Sequence, residues 1–265
     1  MQVAGCASKG SINSTNQNFQ AALSNEIAIG QQIHQQIISK MVVNSDSQLN
    51  KYVTSIGKNL ASYSKRKELP YRFIILDDER IYATSAPGGF VYVTTGCIRY
   101  LSNESELAGV LAQEIGMLER KESRISKSRI AMEKLLTGSA MVAPFFGNIG
   151  ALALLGAFGI YSMTGSGDPH SQKVLARADR AALKLMNQAN YDPQGLIDLE
   201  RKILNANSKD LMYLYDYQQA RNVTQARLNK LEREFSKLNL EGKVFDSNRP
   251  RFISMTQSLQ TSVSA

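Results

Sequence analysis

The strand signals of this chain are crowded into one short stretch, and that crowding restricts the fold more than any other feature. Tyr71-Arg72-Phe73-Ile74-Ile75-Leu76, then Ile81 to Ala86, then Phe90-Val91-Tyr92-Val93-Thr94 follow one another closely, with Pro87-Gly88-Gly89 between the last two. β-Branched and aromatic residues bounded by turn formers predict a small sheet with a tight hairpin. Helical spacing prevails on both sides. Phe19, Leu23, Ile27, Gly30, Ile33, Ile37 and Met41 line one face of a long helix, and Leu49, Val53, Ile56 and Leu60 line a second over Asp46 to Tyr63. With 265 residues, 43% apolar and 20% charged, the chain can bury a substantial core. The expectation is one mostly helical α+β domain with tails.

Asn103 with Glu106 three residues on makes a capping-box-like start, so a helix is expected from about Glu104 to Glu122. Its buried face would be Leu107, Val110, Leu111, Ile115 and Leu118, with Gly109 and Gly116 admitting a close neighbour. Between Lys134 and Asp168 no charged residue occurs, but Pro144 and Gly147-Asn148-Ile149-Gly150 split the stretch into two short pieces. A buried helical hairpin, a surface touching lipid or a partner, and a membrane span all remain open for it. Further helices are expected near Gln172 to Gln188, Pro193 to Asn205 and Thr224 to Leu238. The division is a tether at 1–17, a folded domain at 18–240 and an irregular tail at 241–265.

The net charge of +8 comes without any Lys/Arg block or aromatic-basic interleaving, which argues against nucleic acid and suits anionic lipid equally well. Cys6 and Cys97 are too few for a disulfide framework. Cys97 is expected in the core. Val3-Ala4-Gly5-Cys6 resembles the lipobox of bacterial lipoproteins, although only Met1 to Gly5 precede the cysteine. That resemblance implies a lipid on Cys6, a polar tether after it and, as no aspartate follows, the periplasmic face of the outer membrane.

A more specific resemblance rests on ordered motifs. Glu26-x-x-x-Gly30, Pro87 to Gly96, Glu106-Leu107-Ala108-Gly109-Val110-Leu111-Ala112, Ala178-Asp179-Arg180 and Tyr191-Asp192-Pro193 together resemble the HtpX-like and CAAX-prenyl-endopeptidase-like zinc metallopeptidases, peptidase family M48, above all their periplasmic lipoprotein branch. The resemblance implies a zincin-like fold with a small sheet beside the active-site helix. In such proteins that helix carries H-E-x-x-H: histidines at i and i+4 bind zinc from one helix face, and the glutamate activates the bound water. A later glutamate completes the ligand set. Carried over, the histidines fall on Gln113 and Met117, the base on Glu114 and the third ligand on Arg177. Other positions differ too: Tyr82 stands where asparagine is expected beside the cleft, Glu122 where a histidine follows the motif, and Arg221-Asn222 for a His-Pro element.

Zinc, the family's cofactor, is therefore expected to be absent, and the chain to be a pseudopeptidase rather than an enzyme. Gln113, Met117, Glu114 and Arg177 sum to the same zero charge as a complete zinc site, so an Arg177–Glu114 salt bridge in place of the cation is expected. The implied function is binding of an extended peptide or envelope protein, chaperone- or adaptor-like, by strand addition along Tyr82, Ala83, Thr84, Ser85 and Ala86. Two alternatives stand beside it. One is an active endopeptidase with a metal site rebuilt from Glu114, His170 and Asp168; the other is a structural partner packing through Leu135 to Tyr161.

Overall fold

The computed structural model describes residues 9–119, 172–207 and 223–261. Cys6, Glu122, the 135–161 stretch, Asp168, His170, Arg221 and Asn222 lie outside the described residues. Helices α1 (Lys9–Ile38) and α2 (Ser47–Ala61) lead into strands β1 (Arg72–Leu76), β2 (Ala83–Ala86) and β3 (Phe90–Thr94). Helices α3 (Thr95–Tyr100), α4 (Glu104–Leu118), α5 (Gln172–Gln188), α6 (Gln194–Leu204), α7 (Gln225–Phe235) and α8 (Arg249–Thr261) follow. None of the described helices is long and apolar enough to cross a membrane.

The sheet has the order β1-β3-β2, with β1 parallel to β3 and β2 antiparallel to it. β3 is central and wholly buried, and its alternation serves two cores. Phe90 and Tyr92 face α1 with Ile29, Ile33, Ile37 and Tyr82, while Val91 and Val93 join the main core with α2 and α4. His34 of α1 stacks on Phe90 at 4.9 Å and places Nδ1 3.1 Å from the Tyr92 hydroxyl.

The turn joining β2 to β3 needs positive φ at Gly88 (76°) and Gly89 (89°). A buried ion pair holds it. Arg66 donates to both Glu26 oxygens, at 3.1 and 2.8 Å, and Gly88 N–H donates to Glu26 Oε1 at 3.3 Å. One turn later, Gly30 lies so close that a Cβ there would sit 1.9 Å from the Pro87 carbonyl oxygen. The Glu26-x-x-x-Gly30 motif is thus the seat of the turn on α1.

Two boundaries differ from expectation. The tether expected at 1–17 is helical from Lys9, since extending an existing helix backwards from its packed apolar turns costs less than nucleating one. The irregular tail expected from Glu241 contains α8, which follows Asn248 (φ 49°), with Phe252 N–H bonded to the Asn248 carbonyl, and buries Phe252, Thr256 and Leu259 on one helical stripe. Its sparse apolar residues among Ser, Thr and Gln gave no strong periodic signal.

The helix expected at Glu104 begins there. Asn103 accepts the Glu106 N–H at 2.9 Å, and the Glu106 carboxylate reaches back one residue further than a standard capping box, accepting the Ser102 N–H at 2.8 Å. However, α4 has no solvent face: every residue from Glu104 to Leu118 is buried.

Replacing Arg66 by alanine strands Glu26 in the core and should cost about 3–5 kcal/mol in chemical denaturation. The His34 imidazole is held below its ordinary value of 6.5 by burial and by Arg72, so the unfolded chain takes up its proton first. That stabilising contribution is complete above pH 6.5 and is lost as pH falls through the lower folded value; a His34→Gln variant should show a shallower loss of stability on acidification.

Candidate functional site

Four helices meet at Gln113. Its side-chain amide nitrogen, in the middle of α4, donates to Asp179 Oδ1 of α5 at 2.9 Å and to Glu200 Oε1 of α6 at 3.1 Å. Arg227 of α7 completes the group. Its Nε and Nη2 donate to the two Asp179 oxygens at 3.0 and 2.7 Å, and its Nη1 and Nη2 to the two Glu200 oxygens at 2.9 Å each. Arg227 is 10% exposed through its side chain, Asp179 5% and Glu200 2%, so these are charge-assisted bonds out of water, where removing a partner is costly.

Gly109 and Gly116 let the neighbours come close. A Cβ on Gly109 would contact Leu196 of α6, and one on Gly116 would lie 2.8 Å from the Ala178 carbonyl oxygen of α5. One turn beyond Gln113, Met117 is buried against Val174 and Ala178 of α5. Glu114, between them, is 3% exposed.

The structure brings Gln113, Glu114 and Met117 together with the buried face of α5, but it does not bring Arg177. Arg177 is exposed, and the ion pairs of the described residues include none between it and Glu114. The expected salt bridge is corrected accordingly. The reason is helical geometry: two residues turn a helix by about 200°, so if Asp179 faces Gln113, Arg177 faces away. The residue one full turn before Asp179 on its buried side is Leu175, 2% exposed. The guanidinium at this centre is that of Arg227.

Tyr82 is likewise displaced from its expected role. Its side chain is buried beneath α1 among Phe90 and Tyr92, on the sheet face turned away from α4. Its backbone extends the hairpin, exchanging bonds with Thr94: Thr94 N–H donates to the Tyr82 carbonyl and Tyr82 N–H to Thr94 Oγ1, both at 3.1 Å. β2 is one of the two edge strands of the sheet and touches α4, and its residues Ala83, Thr84, Ser85 and Ala86 are only 1–6% exposed.

Glu200 and Arg227 were not among the expected site residues. Each had a legible signal. Glu200 stands in the Leu196–Ile203 stripe of α6, and Arg227 precedes Leu228 and lies one turn before Leu231 in α7, charged residues where an amphipathic helix turns inward.

Zinc of the usual kind needs lone pairs converging from nitrogen, sulfur or carboxylate oxygen. Among the described residues, those at this centre do not fit it. The Gln113 amide nitrogen is committed to two carboxylates, Met117 offers a thioether within an apolar cluster, and the facing α5 residues are Val174 and Ala178. His34 is on the far face of the sheet.

A mostly helical α+β domain with a small mixed sheet against one fully buried helix is consistent with a metallopeptidase-like fold. Residues 47–237 match Peptidase family M48, and the chain belongs to that family. It is 25% identical over 194 residues to the β-barrel assembly-enhancing protease of Escherichia coli K12, covering 69% of this chain and 38% of the relative. Identity to the protein of that name from Yersinia pestis is 25% over 192 residues, with the same coverages. The mitochondrial metalloendopeptidase OMA1 of Schizosaccharomyces pombe is 29% identical over 143 residues, 54% of this chain and 40% of the relative. The chain thus spans less than half the length of these relatives.

The network predicts an order of effects in urea denaturation. Arg227→Leu, which leaves two buried carboxylates facing each other, should cost about 3–5 kcal/mol. Gln113→Leu removes one neutral donor and should cost about 1–3 kcal/mol. Arg177→Leu should change stability by less than about 0.5 kcal/mol.

Proposed function

We propose that this protein is a metal-independent, non-catalytic member of its family that binds extended polypeptide in the bacterial cell envelope. The observation that carries this reading is the engagement of Gln113. A side chain whose amide nitrogen is held by Asp179 and Glu200, followed one turn later by Met117 in an apolar contact, leaves Glu114 with no metal-ligand pair on its helix. In this reading the H-E-x-x-H helix of a zincin-like fold survives as a structural element.

Chemistry supports the same conclusion. Amide hydrolysis needs the carbonyl polarised as well as the water activated, and a general base alone contributes about 10²- to 10⁴-fold, far short of peptidase rates. Polypeptide binding has no such requirement, because main-chain hydrogen bonds to a sheet edge supply affinity without a metal. β2 is that edge, and strand addition there requires the groups covering it to move aside. Relatives named for enhancing β-barrel assembly point to strand-forming envelope proteins as the ligands. A lipid on Cys6 would hold the protein at the periplasmic face of the outer membrane.

The test combines metal content, hydrolysis and binding. Protein purified without chelator should contain well under one zinc per chain, its melting temperature should not respond to EDTA, and Glu114→Gln should leave hydrolysis of an unstructured substrate at background. A fluorescent peptide with the alternating pattern of a barrel strand should still bind in anisotropy titrations. Stoichiometric zinc together with cleavage abolished by Glu114→Gln would overturn the proposal.

A further inference from the structure

The site helix has a second anchor, at its opposite end. Glu104, the first residue of α4, is 1% exposed, and its carboxylate is met from two directions. Tyr52 of α2 donates its hydroxyl to Oε2 at 2.8 Å; burial, and then that carboxylate, keep the phenol protonated. Asn248 Nδ2 donates to Oε1 at 3.2 Å, while Arg251 Nε stands 3.6 Å from Oε2 with its guanidinium 5.3 Å above the Tyr52 ring. The Glu104 N–H itself donates to the Ser247 carbonyl at 3.0 Å. The same C-terminal segment reaches the start of α2, where the Ser258 hydroxyl donates to Asp46 Oδ2 at 2.6 Å, the carboxylate whose other oxygen caps that helix.

Three properties set this segment apart. It lies beyond residues 47–237, the part of the chain shared with the family. It is joined to the body by a stretch in which Val244 is 90% exposed. Its fully buried apolar anchors are Phe252 and Leu259, with Met255 partly buried against the same core and Ile253 44% exposed. A C-terminal element held by few apolar side chains and a ring of polar contacts belongs among those that open locally while the rest stays folded. The Gln113 network contains no residue of α8 and would stay intact.

A carboxylate at a helix N-terminus is favoured by the helix dipole, but a buried one also needs its hydrogen-bond partners. Withdrawing Asn248 and Arg251 leaves Glu104 with Tyr52 from this set, and the first turn of α4 must then admit water or shift. α4 also packs against β2, so a displacement that travels along the helix would change what lies over the sheet edge.

We propose that the segment Ser247–Thr261 is a releasable strap that fixes the first turn of α4 through Glu104, and that its release opens the β2 edge to polypeptide. The second half rests on the binding reading above. The full chain carrying Asn248→Ala and Arg251→Ala should show amide exchange about tenfold faster in 247–261 and in 104–108, with 173–204 unchanged, and severalfold tighter binding of the barrel-strand peptide. Tyr52→Phe, which removes a single hydroxyl, should accelerate 104–108 more mildly and serves if the double variant does not fold. Fast exchange in the strap with no change at 104–108 would overturn the coupling. Coupled exchange with unchanged peptide affinity would remove only the link to the β2 edge, and absence of peptide binding by every variant would count against the binding function and leave the strap standing.

Discussion

Asp179 and Glu200 share one guanidinium, and that arrangement organises the helical half of this protein. Two carboxylates approach each other out of water only if a cation and further donors lie between them, and Arg227 and Gln113 fill those places. Each participant comes from a different helix, so the network fixes the mutual positions of α4, α5, α6 and α7. It also dictates what position 113 must be. One nitrogen has to donate twice, and a primary amide carries the two hydrogens required.

The other half depends on a second buried ion pair. Glu26 and Arg66 secure the glycine turn between β2 and β3, and Gly30 lets α1 lie directly on that turn. The sheet is thereby held between α1 on one face and α2 and α4 on the other. With networks on one side and a sheet on the other, α4 is buried along its whole length, so its charged and amide side chains depend on individual partners, while the buried Ser105 hydroxyl has none among the described residues. Glu104 is matched by Tyr52 and the C-terminal segment, Glu106 by the backbone of Ser102, and Gln113 by the acidic pair.

Family membership and chemistry have to be weighed separately in this protein. The fold places a helix with a buried glutamate where relatives named as proteases are similar, yet the side chains flanking that glutamate are engaged in packing and in structural hydrogen bonds. The cation at this centre is a residue other than the one an alignment of motifs indicates, and it faces two carboxylates, Asp179 and Glu200, rather than the one expected. Arg177 has the right charge and the wrong azimuth; Arg227 comes from a later helix and occupies the centre.

Periodicity and turn chemistry in the sequence were enough to determine the α+β class, the three strands, the Asp46 and Asn103 helix starts and the residue types at 113, 114 and 117, because each is a local property of the chain. Three things were decided only by tertiary structure. Which cation meets the acidic pair depends on how four helices are rotated about their axes, something a motif spacing does not encode. The burial of Tyr82 under α1 depends on which face of the sheet each partner takes. The docking of α8 onto Glu104 joins residues far apart in the chain, and its short apolar stripe acquires meaning only once the groove that receives it exists.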